Sequence, residues 1–199
     1  MKKNIFLGVI NPATTISLSG LICAFFSVLS ASKGMEKVAL TFFILLPLFD
    51  FFDGVVARKT NKSQREFDFG GRLDPMLDLV NFAFAPAVMF YLLGYSSILE
   101  TLFLVIFLLC GTLRQGDPEG GAVNDSFTGL PIPYGIALLT IGWLIQRLTG
   151  ITSIFTLFLL LTAFLFIYRF PFKKQAGIFY FIWPSVVVIV ICVTWLVLK

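Results

Sequence analysis

The residues able to do chemistry gather between Asp50 and Asp78. Four carboxylates, Asp50, Asp53, Asp74 and Asp78, stand in or at the ends of segments that are otherwise apolar. A charge deep in a bilayer costs about 3 kcal/mol or more on insertion scales, and four of one sign also repel. A cation must compensate them, and a divalent metal suits an all-oxygen donor set. Such ligands select hard ions, Mg²⁺, Mn²⁺ or Ca²⁺. At helical spacing Asp50 and Asp53 share one face, as do Asp74 and Asp78. An antiparallel return between the two helices brings both pairs to one place.

Small and basic residues complete the pattern. Gly54 and Ala57 open a groove beside the carboxylates, and Arg58 and Arg72 supply fixed positive charge for a phosphate or a leaving nucleotide. Metal ligands, arginines and a small-residue groove together read as a phosphate-ester site. Two close metals can bridge a diphosphate and stabilise the attacking and leaving oxygens.

The elements that must position these residues cross a membrane. Only 13% of the 199 residues are charged, against about 25% in soluble domains, and the mean hydropathy is +0.93. A span needs about 20 apolar residues. Seven stretches qualify, near residues 12–32, 36–58, 72–94, 97–115, 131–147, 151–169 and 175–198. The expectation is an all-α integral membrane protein, a polytopic bundle of six to seven transmembrane helices. Residues 1–199 then form a single transmembrane catalytic domain that begins at its mature start. Pro75 is expected in the first turn of the third helix, where its missing N–H is tolerated. The first span is rich in small residues and belongs inside the bundle. With no histidine, histidine bases and Ser-His triads are excluded, and Cys23, Cys110 and Cys192 each lie alone in apolar sequence as packing residues.

Orientation follows from the basic residues. One side of a seven-span chain holds eleven: Lys2, Lys3, Arg58, Lys59, Lys62, Arg65, Arg72, Arg114, Arg169, Lys173 and Lys174. The other holds four, Lys33, Lys37, Arg147 and Lys199. Positive residues favour the cytoplasm, so the carboxylates are expected on the cytoplasmic side of the cytoplasmic membrane. The polar stretch from Gly116 to Gly129 lies on that side and reads as a solvated connector.

Asp50-x2-Asp53-Gly54-x2-Ala57-Arg58, followed by Gly70-x3-Asp74-x3-Asp78, resembles the signature of the CDP-alcohol phosphotransferases. Eleven residues separate Arg58 from Gly70 where the family usually has eight, and the extra residues are expected to lengthen a loop. Further segments resemble the phosphatidylserine synthase branch. They are Lys59 to Ser63, Leu79 to Ala87, Cys110 to Arg114, Phe127 to Pro133 and Arg169 to Pro171. Two departures stand out. Gln115 to Gly121 replaces a run with a second arginine and Arg-Phe-Asn, and Asn81 replaces a usual serine.

The resemblance implies a six-helix catalytic core, a homodimer, and cytidine nucleotide with two divalent cations, Mg²⁺ or Mn²⁺, between the second and third helices. By that analogy Asp50, Asp53, Asp74 and Asp78 hold the metals. Gly54, Ala57, Arg58 and Gly70, with Asp50 and Asp74, line the nucleotide. Asp78 is the general base. A CDP-diacylglycerol-type lipid then passes its phosphatidyl or archaetidyl group to L-serine and CMP leaves, a step of phospholipid biosynthesis. Arg72, Asn81, Arg114 and Arg169 are the candidates for acceptor or lipid phosphate. Inositol phosphate and glycerol phosphate are the alternative acceptors. Partners are membrane lipids and not nucleic acid. An ion-coupled transporter is the reading from another class. It expects charges at the midplane and paired halves with broken helices, whereas here the carboxylates sit at one interface.

Overall fold

The computed structural model describes residues 9–61, 63–117, 126–173 and 179–198. The chain folds as a helical bundle. Asn11 caps the first helix: its side chain accepts from the Thr14 amide at 3.0 Å, and Pro12 fills the first helical position. That helix, α1 (Pro12–Ser32), packs along α2 (Glu36–Lys59). The third span starts earlier than the sequence reading placed it. Ser63 and Glu66 form a reciprocal capping box, and α3 runs over Gln64–Leu79. Residues 64–70 are therefore two turns of helix and not loop, and the connection from α2 shrinks to residues 60–63. Pro75 consequently lies inside α3, where it has no N–H to offer the Gly71 carbonyl one turn back.

A five-residue π-helical turn, Val80–Phe84, joins α3 to α4 (Ala85–Leu92). The cause is Pro86. It has no N–H for the carbonyl four residues back, and its ring needs room there. A wide turn gives that room, and the Ala85 amide closes it onto Val80, five residues back. The span as a whole covers Gln64–Leu92.

The second half follows the expected order with ends moved by a few residues. It comprises α5 (Ile98–Gly116), α6 (Tyr134–Thr149), α7 (Ser153–Ile167) and α8 (Phe179–Val197). Four helical stretches among the described residues are long and apolar enough to cross a membrane: Pro12–Ser32, Glu36–Lys59, Gln64–Leu92 and Ile98–Gly116. Ser153–Ile167 and Pro184–Val197 are shorter apolar helices. Apolar side chains such as Phe25, Leu113, Leu157 and Ile189 face outward, as lipid contact requires. This is a multi-pass membrane protein.

Glycines let the helices approach. A Cβ on Gly111 of α5 would lie 2.9 Å from Ala83 Cβ in the π turn, and one on Gly142 of α6 would collide with the Phe158 side chain of α7. Bulk is concentrated away from the carboxylates. Phe90 meets Phe43 and Tyr95 edge-on at centroid distances of 5.4 and 5.8 Å and the tilted ring of Phe155 at 4.4 Å, closing the opposite end of the bundle. Arg147 pairs there with Glu36.

One feature departs from an all-helical reading. Ser126–Thr128 (β1) pairs antiparallel with Pro171–Lys173 (β2), Phe127 opposite Phe172. The last part of the expected Gly116–Gly129 connector is thus strand, and residues 118–125 lie outside the described residues. Gly129 follows at φ +82°, and a Cβ there would lie 2.9 Å from the Tyr168 carbonyl oxygen, so both backbone conformation and space require glycine.

Candidate active site

The C-terminal halves of α2 and α3 bring three carboxylates together. Asp50, Asp74 and Asp78 each place an oxygen within 4.8 Å of the other two. Asp50 and Asp78 are half-buried and Asp74 is exposed, so the group opens on one side. Three hard oxygen donors this close repel strongly when ionised, and they match the donor set of a divalent ion. The residues present fit such an ion.

Asp53 behaves differently. It is 8% exposed, and the hydroxyl of Ser17 on α1 donates to its Oδ2 at 2.5 Å. The two carboxylates of α2 therefore do not enter the cluster as an equal pair: Asp50 joins Asp74 and Asp78, while Asp53 leans on α1. A second hydrogen bond reaches the cluster from afar. Gln115, in the last turn of α5, donates from Nε2 to Asp78 Oδ2 at 3.2 Å. Neither Ser17 nor Gln115 was singled out from the sequence. The short-range pattern carried no sign of them, because each meets its aspartate across more than 35 residues of chain.

Beside the carboxylates lies a cavity of about 200 Å³ walled by three helices. Ala13, Thr14 and Ser17 line it from α1, and Asp53, Gly54 and Ala57 from α2. From α3 come Phe67, Gly70, Gly71 and Asp74, on successive turns of one face. Gly70 and Gly71 both border it, and a Cβ on either would meet nothing within 4 Å. The small residues that suggested a groove do form one. Arg58 is exposed and folds back so that its Nη1 would lie 3.4 Å from a Cβ on Gly54. Phe67, 66% exposed, is the aromatic wall of this cavity.

The remaining candidates scatter. Arg72 does not line this cavity but a groove on the other side of α3. Asn81, in the π turn, is 6% exposed and packs toward Gly20 of α1; its Oδ1 has no hydrogen-bond partner among the described residues. Arg114 is 8% exposed and donates to the Thr128 carbonyl, tying α5 to β1. Arg169 lies 3.7 Å from Asp117. Arg114, Asp117, Thr128 and Arg169 border a separate cavity of about 200 Å³.

Comparison with known proteins decides the family. The sequence profile of the CDP-alcohol phosphatidyltransferases matches residues 10–198. The chain belongs to the CDP-alcohol phosphatidyltransferase family. Its carboxylate cluster and small-residue cavity are thus those of a CDP-alcohol phosphatidyltransferase family member. Among characterised relatives, the chain is 40% identical over 126 residues to the CDP-diacylglycerol–serine O-phosphatidyltransferase of Methanocaldococcus jannaschii, covering 61% of this chain and 59% of that protein. It is 38% identical over 109 residues to the protein of the same name from Saccharomyces cerevisiae, covering 49% and 38%. It is 34% identical over 130 residues to the archaetidylserine synthase of Methanothermobacter thermautotrophicus, covering 63% and 54%. The chain thus spans less than two thirds of the length of each of these three relatives.

Proposed function

We propose that this protein transfers the phosphatidyl or archaetidyl group of a CDP-activated lipid to the hydroxyl of L-serine and releases CMP. The single observation that carries the chemistry is the three-carboxylate group opening beside a cavity of glycine and alanine walls. The acceptor rests on the names of the relatives, three of which act on serine or make a serine lipid.

In this reading Asp50, Asp53, Asp74 and Asp78 would hold two divalent cations, Mg²⁺ or Mn²⁺. When bound, they supply positive charge against the diphosphate. The chain's own residues do the rest. Gly54, Ala57, Gly70 and Gly71 leave room for the nucleotide, and Arg58 supplies charge at the rim. Ser17 fixes the Asp53 carboxylate from α1. Asp78 takes the proton of the serine hydroxyl while its oxygen attacks the β-phosphorus. The bond from that phosphorus to the CMP oxygen breaks, and CMP leaves with the electron pair. Gln115 keeps the Asp78 carboxylate turned toward the reacting hydroxyl. Arg114 and Arg169, which border the separate cavity, are the candidates for the acceptor carboxylate. The excess of basic residues on this side supports a cytoplasmic site in the cytoplasmic membrane, and the family resemblance supports a homodimer of single-domain chains.

The test is CMP release by the purified protein with CDP-diacylglycerol and Mn²⁺ or Mg²⁺. Serine, inositol phosphate, glycerol phosphate or no acceptor is added in parallel. Release that needs both serine and metal is expected. Release with another acceptor alone overturns the serine assignment. No release under any of these conditions overturns the reaction.

A further inference from the structure

Helix α3 has a second working face. Phe67, Gly70, Gly71 and Asp74 look into the catalytic cavity. Gln64, Arg65, Asp68, Phe69 and Arg72 lie on the other side of the same turns, and with Val9 they wall a groove of about 510 Å³. Arg65 and Arg72 are seven residues apart, two helical turns, and so stand one above the other. Both are exposed. Among the described residues neither guanidinium has a hydrogen-bond or ion-pair partner. Asp68, between them, accepts from Gln64 Nε2 at 2.8 Å and is the one carboxylate among the groove's lining residues, so the two arginines leave the wall with a net positive charge.

The groove also sits at a particular depth. Val9 lies three residues before α1, and Gln64 and Arg65 open α3. Both walls are the starts of helices long and apolar enough to cross a membrane, on one side of the bundle, and the ends of such helices meet the headgroup layer. Two arginines offer forked donors to phosphate oxygens, while Phe69 and Val9 offer apolar contact to the carbon atoms below. A guanidinium that only anchored its helix at the interface would need no partner groove.

We propose that this groove binds the phosphate-bearing headgroup of an anionic membrane phospholipid, separately from the catalytic cavity. It needs no catalysis and does not depend on the serine reading. It lies on the back of the helix that carries Asp74 and Asp78.

The experiment uses the full chain in phosphatidylcholine nanodiscs containing a small fraction of photoactivatable phosphatidylglycerol. Labelled peptides are mapped by mass spectrometry. Labelling within residues 64–72 is expected, displaced by unlabelled phosphatidylglycerol and not by phosphatidylcholine or inorganic phosphate. Arg65→Gln should weaken labelling about fivefold, the contribution of one basic residue near an anionic surface, and Arg65→Lys should largely restore it. Thermal unfolding of each variant checks that the fold is kept. Equal labelling of Arg65→Gln and wild type, or displacement by phosphatidylcholine, overturns the site. Displacement by inorganic phosphate at equal concentration overturns the lipid as its ligand.

Discussion

Asp78 is held from two sides. It shares a small volume with Asp50 and Asp74 and accepts from Gln115. In the proposed reaction Asp78 is the general base, a role that contributes about a hundred- to ten-thousand-fold to rate, so Asp78→Asn should cut CMP release by that order. Gln115 acts through Asp78 and should show a distinct signature. A hydrogen bond to a charged group contributes about 1.5–3 kcal/mol, so Gln115→Leu should lower kcat at least tenfold with KM for the CDP-lipid little changed. Steady-state kinetics separate the two parameters. A rise in KM with kcat intact would show Gln115 serving substrate binding and not the base.

At the scale of the element, α3 is the part that the sequence reading placed wrongly and that matters most. Its extra turns come from Ser63 and Glu66, which satisfy each other's backbone donors at the helix start. The Ser-x-x-Glu signal was present in the sequence and lay within the segment read as loop. Those turns carry Phe67 to one side and Arg65 to the other, so two surfaces depend on one cap. Loss of an N-cap costs about 1 kcal/mol. Ser63→Ala should therefore speed amide exchange at residues 66–69 about fivefold and leave α5 unaffected, as hydrogen-exchange mass spectrometry would detect. The π turn is a second element-scale device. Pro86 forces it, and it lets Ala83 nest against Gly111.

For the whole molecule, the distribution of charge sets the orientation. Lys59, at the end of α2, and Lys33, after α1, should lie on opposite sides of the membrane. In a chain whose three native cysteines are replaced by alanine, Lys59→Cys should react with an impermeant maleimide only from the cytoplasmic side. Lys33→Cys should react only from the outside. The reverse pattern would place the carboxylates outside and remove the site from the cytoplasmic pool of nucleotide.

The sequence by itself determined the membrane class, the order of the apolar helices, and the carboxylates with their small-residue neighbours. Apolar length, helical period and short-range spacing are written locally, and so is the family signature. Which side chains meet across long separations was decided only by tertiary structure. Ser17 reaches Asp53 over 36 residues and Gln115 reaches Asp78 over 37. Strand β1 finds β2 across the whole of α6 and α7. Arg72 was a sequence candidate for phosphate, yet its face on α3 turned on where that helix begins and how it packs. Hydrogen bonds and packing between distant segments depend on the relative placement of helices, which no local pattern encodes.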